Sequence, residues 1–528
     1  MTTEGPPPLA VPPVGAAERA RSTSGAATLT GTFWTIGSQI APFAYTIAVS
    51  VVAARILGPD RMGRQSFIAF VVYCAIGIAG GGFAVAVTRY VAEAIGAHRA
   101  AELPGLVRWT WRIAIGAGAL GSAGLVVVAI LGRTPQLAWY LAAVAVFAGT
   151  LHKLVGSILL GGRRFRVASM ISLRNGAVSS IATIVVLALG GGISGMFAVL
   201  AASVVSMLVL AMLQVRRMLV EEQAPAKASL GPLPKAMLTF GLASTLPYVL
   251  QLIVAQRSEL FFLDRSSSDA QIAFYAVAFS LIAVALAIPA AIQQVLSPTF
   301  ATLFGAGSFD RIRASYARAL RLLLLMSIPL TAGALALGPR LIELVYGHDY
   351  RRAGTVLLVL AASLPLLPVS GASQALLIGY RRMRFPIVVG VVAAAIDLTA
   401  AALLVPRFDA IGAAIANVSA SVAAAAIALI YCARLVGGVE LRLASLWRMV
   451  AVSVAAALAA WVVLRLVHGA PGFVVALAVA VAVFGALGTL VGVLPREDAE
   501  WLARASAKGR GRFIGPLCLR LSHAPRRR

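Results

Sequence analysis

Runs of about 20 consecutive apolar residues, the length of helix that crosses the hydrocarbon core of a bilayer, recur along almost the whole chain. This feature constrains the fold more than any other. The composition agrees with it, because 60% of the residues are hydrophobic, 12% are charged and the mean hydropathy is +0.91. A transmembrane β-barrel is excluded, because its strands would be about 10 residues long with alternating polarity. We therefore predict an all-α integral membrane protein.

The apolar runs predict about fourteen transmembrane helices. A Pro-, Gly- and Ala-rich segment precedes the first run, and a basic segment follows the last. The predicted spans, numbered 1 to 14 in order, are residues 29–54, 65–91, 109–131, 136–160, 167–189, 193–215, 236–262, 271–300, 317–338, 353–378, 385–405, 410–433, 447–467 and 472–494.

Basic residues are distributed unevenly between the predicted loops. The net charge of +26 would suggest a nucleic-acid partner in a soluble protein. Here, 33 Lys and Arg residues fall on the side that holds both termini, and 11 fall on the other side. Cytoplasmic loops of membrane proteins collect Lys and Arg. We therefore predict a multi-pass protein of the bacterial cytoplasmic membrane, with both termini in the cytoplasm and no nucleic-acid partner.

One stretch of the sequence occurs twice. Residues 157–166 read SILLGGRRFR, and residues 375–384, 218 positions later, read ALLIGYRRMR. The same offset aligns Ser203 with Ser421 and Arg216 with Arg434 without a gap. We interpret this as a duplicated unit of six helices. Because six crossings are an even number, the second copy enters the membrane in the same orientation, which predicts two parallel lobes.

The duplication divides the chain into predicted regions. Two lobes of six spans are joined by a charged, Pro-bearing linker, and two further spans lie outside the repeat. The regions are a disordered cytoplasmic tail (1–27), an N-terminal lobe (28–215), a cytoplasmic linker (216–234), a C-terminal lobe (235–434), spans 13 and 14 (435–494) and a basic cytoplasmic tail (495–528).

Motifs for cofactors and metals give no support to an enzyme. The chain has no phosphate-binding loop of the Gly-x-x-x-x-Gly-Lys-Ser/Thr type. A Gly-x-Gly-x-x-Gly pattern, at Gly116, Gly118 and Gly121, lies inside a predicted span with no strand before it, which favours helix packing. The three cysteines are scattered and show no metal-binding spacing. We predict a transporter without cofactor or metal.

Short motifs in both lobes carry a family resemblance. They are ARILGPDRMG at residues 54–63, TRYVAE at 88–93, LDR at 263–265, FYAVA at 274–278 and Pro298. With these motifs the chain resembles bacterial polysaccharide exporters of the multidrug/oligosaccharidyl-lipid/polysaccharide superfamily. The resemblance implies a flippase that moves a lipid-linked oligosaccharide, typically on undecaprenyl pyrophosphate, from the inner to the outer leaflet. Membrane lipids, and the polymerase or glycosyltransferases of the same pathway, are the expected partners.

A pyrophosphate and a glycan that cross hydrocarbon need a polar, preferably cationic cavity. A charged side chain at a helix centre costs about 2.5–3.5 kcal/mol on insertion scales, so such residues are candidates for function. The resemblance implies that spans 1, 2, 7 and 8 line the cavity. The predicted substrate-binding residues on them are Arg257, Glu259, Gln39, Tyr45, Arg89, Gln293 and Gln294.

Each of these residues also has a structural interpretation. Arg257 could extend to the outer interface and pair with Glu259 or Asp264. The glutamines and Tyr45 could be hydrogen-bonding contacts between helices, and Arg89 could be a determinant of topology. These alternatives stay open at the level of sequence.

Asp397 is the deepest carboxylate of span 11, and a proton- or cation-coupled carrier would use such an acid. A structural polar contact explains it equally well. The same offset of 218 places Ser179 at the corresponding position of the first lobe, so the acid is not part of the duplicated design. Pro42 and Pro247 lie at comparable places in spans 1 and 7, and we predict that they are hinges for closure of the lobes.

Three other functions compete with the flippase. A cation-coupled drug exporter of the same superfamily is one, although spans 1–6 contain no acid at mid-depth. A membrane glycosyltransferase would need carboxylates or His on a sizeable outer loop, and the outer loops are short. A transport-inactive membrane scaffold that binds partners through its tails is the third.

Overall fold

The computed structural model describes residues 14–222, 235–255, 257–380, 382, 384–439 and 442–507, with side chains placed from residue 44 onward apart from a few positions. The described residues are helical, with no strand among them, which confirms the predicted all-α class. Many large apolar side chains on the outer helix faces are exposed, including Leu120, Leu189 and Val481. Such surfaces are typical of contact with lipid.

The N-terminal group of helices, called the N-lobe below, consists of five elements. They are α1 (Val14–Gly96), α2 (Leu103–Ile130), α3 (Gln136–Gly161), α4 (Phe165–Ala188) and α5 (Gly192–Glu221). α3 lies at the centre of this group, where it packs against α1, α2 and α5. α1 begins at Val14, inside the segment that the sequence predicts to be disordered, because this stretch contains Ala, a strong helix former.

The C-terminal group, called the C-lobe, has more and shorter elements. They are α6 (Lys235–Ala255), α7 (Leu260–Ser266), α8 (Asp269–Ala285), α9 (Ala287–Gly305), α10 (Phe309–Tyr346), α11 (Arg351–Leu360), α12 (Leu366–Gly379) and α13 (Arg384–Leu435). Three helices follow it: α14 (Leu443–Leu466), α15 (Gly469–Val491) and α16 (Arg496–Ala507). α14 and α15 pack against each other and against α10.

Ten helices of the described chain are long and apolar enough to span a membrane. Two of them are broken inside: α1 at Gly58 and α13 at Asp409, each of which has a positive φ. Gly adopts this conformation freely, and Asp tolerates it better than most residues. Two shorter apolar helices, 236–250 and 269–285, lie where spans 7 and 8 are predicted. The count of fourteen stays a prediction.

Two glycines that the predicted duplication aligns make similar close contacts. α3 ends at Gly161 and α12 ends at Gly379, 218 positions later. A Cβ on Gly161 would collide with the backbone of Thr88 in α1, and a Cβ on Gly379 would collide with Phe300 in α9. Corresponding glycines therefore allow corresponding helices to approach closely in the two lobes.

Candidate functional site

Span 7 is interrupted inside the membrane region, where the sequence predicts one continuous helix over 236–262. α6 ends at Ala255 and α7 begins at Leu260. Between them, Arg257 has a left-handed φ of 54°. Irregular backbone at membrane depth is tolerated only where protein or a polar cavity surrounds it, and interrupted helices often form binding sites.

Two carboxylates meet beside this interruption. Glu259 and Asp397 are both fully buried, and their carboxyl groups interact directly. Asn417 donates a hydrogen bond from Nδ2 to Glu259 Oε1 over 2.9 Å. Ser258 Oγ donates to Asp397 Oδ2 over 2.6 Å. The site, called the acid pair below, therefore joins the break in span 7 to both arms of α13.

The second oxygen of each carboxylate takes no part in these hydrogen bonds. Glu259 Oε2 and Asp397 Oδ1 are buried, and neither has a hydrogen-bond donor within the described part of the chain. No Lys or Arg of that part forms an ion pair with either group. Two adjacent carboxylates away from water cannot both be charged without a compensating positive charge. The arrangement can therefore hold a proton between the two groups, or a small cation that prefers oxygen ligands.

The guanidinium of Arg257 contacts α8 and forms no ion pair with the acid pair. Its Nη2 donates to Ser280 Oγ of α8 over 2.9 Å, and its guanidinium lies 4.9 Å from the centre of the Phe279 ring. Among the described residues it pairs neither with Glu259 nor with Asp264, the partners of the structural interpretation. Its cationic group faces α8, a predicted wall of the central cavity.

The other predicted binding residues are dispersed. The ring of Tyr45 lies 3.5 Å from where a Cβ of Gly176 in α4 would stand. Gln293 packs against Gly371 of α12, too close for a Cβ there. The guanidinium of Arg89 lies 4.7 Å from the centre of the Phe240 ring. These three therefore do not join Arg257 in one cluster. The side chains of Gln39, Gln294, Pro42 and Pro247 lie outside the described residues.

Sequence reasoning missed Ser258 and Asn417, the two hydrogen-bond donors of the acid pair. Asn417 is the clearest missed signal, because it is an amide in an otherwise apolar helix. The sequence analysis also placed Glu259 with the substrate-binding residues, and that assignment stays a prediction. The structure instead encloses Glu259 completely and directs it at Asp397 and Asn417.

Ion pairs join the two lobes near one end of the contact between them. Arg64 of α1 pairs with Asp264 at 3.2 Å and with Asp269 at 3.0 Å. Arg133, which follows α2, also pairs with Asp264. In addition, Arg55 Nε donates to the Val345 carbonyl at the end of α10 over 2.8 Å. According to the predicted topology this network, called the outer ion-pair network, lies on the outer side.

Small residues join the lobes further along α1. A Cβ on Gly81 would collide with the Tyr248 ring of α6, and one on Gly82 would collide with the side chain of Thr245. Lys153 of α3 donates from Nζ to the Tyr248 hydroxyl over 2.6 Å. Opening a passage between the lobes on this side requires separation of α1 from α6.

Known proteins match the chain in family and in fold. Residues 52–355 match the family described as polysaccharide biosynthesis protein. No curated protein matches in sequence. The structure is similar to that of the lipid II flippase MurJ in an inward closed conformation, with a TM-score of 0.67, 13% identity and coverage of 88% of this chain and 98% of that one.

Two further structures are similar. An inward-facing multidrug resistance MATE family transporter of the MOP superfamily has a TM-score of 0.62, 13% identity and coverage of 75% of this chain and 94% of that one. A MOP superfamily transporter from Pyrococcus furiosus has a TM-score of 0.58, 14% identity and coverage of 77% and 95%. The family match confirms the resemblance seen in the motifs. The chain belongs to the polysaccharide biosynthesis protein family, as a multi-pass membrane protein with the fold of MOP-superfamily transporters.

Proposed function

We propose that this protein is a transporter that translocates a lipid-linked oligosaccharide, of the polyprenyl pyrophosphate type, across the bacterial cytoplasmic membrane. It would serve the synthesis of a cell-surface polysaccharide. The family description supports a polysaccharide pathway, and the fold is shared with a protein described as a lipid II flippase. Two lobes that meet through ion pairs near one end and close helix contacts further along suit alternating access.

The observation that carries the proposal of coupled transport is the buried acid pair beside the interrupted span. A carboxylate pair in a membrane protein is expensive, and its usual explanation is function. We assign Asp397 and Glu259 to coupling, by uptake and release of a proton or small cation. A cation at this site would tie the broken span 7 to α13, and its release would leave two repelling carboxylates and loosen the C-lobe.

Arg257 is the proposed contact for the phosphate or sugar of the substrate. It precedes Glu259 by two positions, so any movement of the interrupted segment displaces both residues together. Arg257 forms no ion pair with a carboxylate among the described residues, and the acceptor of its hydrogen bond, the Ser280 hydroxyl, is uncharged. An anionic group could therefore take up the positive charge and its remaining donors.

The test is the distribution of lipid-linked intermediates in cells that lack the protein. We expect oligosaccharide to accumulate on the inner leaflet and to be relieved by the wild-type protein but not by Arg257→Ala. Arg257→Lys, which keeps the charge, should relieve it in part. Arg166→Gln is the matched control, because Arg166 is an exposed residue in the first turn of α4. Normal intermediates in the deletion strain would contradict the proposal.

A cation-coupled drug exporter is the second candidate, because the acid pair and the MATE-like fold suit it as well. It predicts increased drug sensitivity in the deletion strain with normal lipid-linked intermediates. A transport-inactive scaffold gives no reason for two adjacent buried carboxylates that form no ion pair among the described residues. The proposed topology has both termini in the cytoplasm, where the polymerase or glycosyltransferases of the pathway are proposed partners.

A further inference from the structure

A pocket of about 380 Å³ lies within the N-lobe, between α3, α4 and α5. Its polar lining residues are His152, Lys153 and Ser157 of α3, and Ser169 and Ser172 of α4. None of its lining residues is acidic. The pocket is separate from the acid pair and from Arg257, which both lie in the C-lobe.

Lys153 gives this pocket its charge. The sequence places it among the cytoplasmic basic residues, but it lies inside α3, eight residues before the helix ends, or about 12 Å at 1.5 Å per residue. It is partly buried, and it forms no ion pair with a carboxylate in the described ranges. Its ammonium group donates a hydrogen bond to the neutral Tyr248 hydroxyl. An ammonium group at this depth lacks a counter-ion, which an anionic ligand would supply.

The neighbouring polar groups extend the pocket. The Nδ1 atom of His152 is buried with no partner among the residues that the structure describes. The hydroxyls of Ser169 and Ser172 line the opposite wall. One cation, one imidazole and several hydroxyls without any carboxylate are the donor set expected for a phosphate group.

The pocket is also connected to the contact between the lobes. The Lys153 side chain lies 3.4 Å from where a Cβ of Gly80 would stand in α1, and its ammonium reaches across to α6. A ligand that takes Lys153 from Tyr248 would remove one contact between the lobes. Lys153 therefore links binding in the pocket to separation of α1 from α6.

We propose that this pocket binds the diphosphate group of the lipid-linked substrate, with Lys153 as its main contact and Tyr248 as the partner that Lys153 leaves. The inference rests on the proposed function and adds to it a second binding position in the N-lobe. The substrate would then have two binding positions, one in the N-lobe pocket and one at Arg257 of the C-lobe.

The test measures binding of undecaprenyl pyrophosphate to the purified full-length protein in detergent, with folding monitored by thermal unfolding. Lys153→Gln should weaken binding by about 10- to 100-fold, the range for loss of a hydrogen-bonded charge. Lys153→Arg should retain most of it. Tyr248→Phe should bind about two- to tenfold more tightly, because it frees Lys153. The control Arg166→Gln should bind as the wild type does.

The outcomes separate the inference from the proposed function. Wild-type affinity in Lys153→Gln, or equal weakening in Lys153→Gln and Tyr248→Phe, would overturn the pocket and leave the flippase intact. No binding by the wild-type protein would overturn both. Competition by inorganic pyrophosphate would assign recognition to the diphosphate itself. Equal competition by phosphatidylglycerol would indicate a general site for anionic lipids and overturn the proposal.

Discussion

The two lobes differ in the polar contacts that their helices make. In the N-lobe, Asn175 of α4 donates to Ser203 of α5 over 2.6 Å, a neutral and partly buried contact. In the C-lobe, the first arm of α13 instead carries Asp397, which pairs with Glu259. Ser179, 218 positions before Asp397, donates to a carbonyl of its own helix. The predicted duplication therefore does not extend to the charged site, which lies in the C-lobe.

The lobes also differ in continuity. α2, α3, α4 and α5 of the N-lobe are each unbroken, whereas in the C-lobe span 7 is divided between α6 and α7 and span 8 between α8 and α9. Interrupted helices free backbone groups and permit bending. We infer that the C-lobe contains the parts that respond to the coupling ion, while the N-lobe is the more rigid partner.

The largest expected effect comes from removing the acid that has no counterpart in the first lobe. Asp397→Asn should reduce transport by about 100-fold or more, because the amide cannot take up a proton or supply a charge to a cation, and loss of a proton-transferring group typically costs about 10²–10⁴-fold. Ser179→Ala, the corresponding change in the N-lobe, should leave transport within about twofold. Initial rates of lipid flipping in proteoliposomes measure both. Equal effects of the two substitutions would contradict the division of roles.

The second effect concerns the donors that orient the acid pair. Asn417→Ala removes the hydrogen bond to Glu259 and should lower transport by about 10-fold, typical of a hydrogen bond to a charged group. Asn175→Ala, which removes an asparagine from the N-lobe, should lower transport by less than about threefold, because Asn175 bonds to an uncharged hydroxyl. The same flipping assay compares them, with thermal unfolding to confirm folding. A greater loss in Asn175→Ala would reverse our assignment of the lobes.

The third effect tests the outer ion-pair network between the lobes. Arg64→Glu should lower transport by several-fold and increase labelling of a cysteine introduced into an outer loop, because partly exposed ion pairs contribute about 1 kcal/mol each. Asp264→Arg should do the same, and the double swap should restore part of the pairing. If the double variant is no better than the worse single variant, Arg64 and Asp264 do not act as a pair in transport.

The smallest effect on transport concerns a helix that is attached to the C-lobe. Asp498 of α16 is fully buried and accepts hydrogen bonds from Arg321 at 2.6 and 2.9 Å and from Arg318 at 3.1 Å. Asp498→Asn should lower the melting temperature by a few degrees and leave transport near the wild-type rate. Glu497→Gln, which alters an exposed pair with Arg442, should change neither. Lost transport with an unchanged melting temperature would indicate a direct role.

Sequence reasoning recovered the helical membrane class and the family, because these depend on apolar length and on short motifs. It also identified Asp397, since a carboxylate in an apolar helix is conspicuous. It missed the interruption of span 7 because residues 255–259 contain no Pro or Gly. In the structure, the interrupted segment instead makes contacts with distant residues, among them Ser258 with Asp397. The position of Lys153 was missed for the same reason, because helical periodicity does not identify the facing helix.

We propose that the acid pair of the C-lobe couples an ion gradient to translocation of a lipid-linked oligosaccharide. The most direct measurement is flipping of a fluorescent undecaprenyl-pyrophosphate oligosaccharide in proteoliposomes, with and without a proton or sodium gradient. We predict that wild-type protein and Ser179→Ala respond to one of these gradients, whereas Asp397→Asn flips slowly and responds to neither. A gradient response retained in Asp397→Asn, or no flipping by the wild-type protein, would contradict the account.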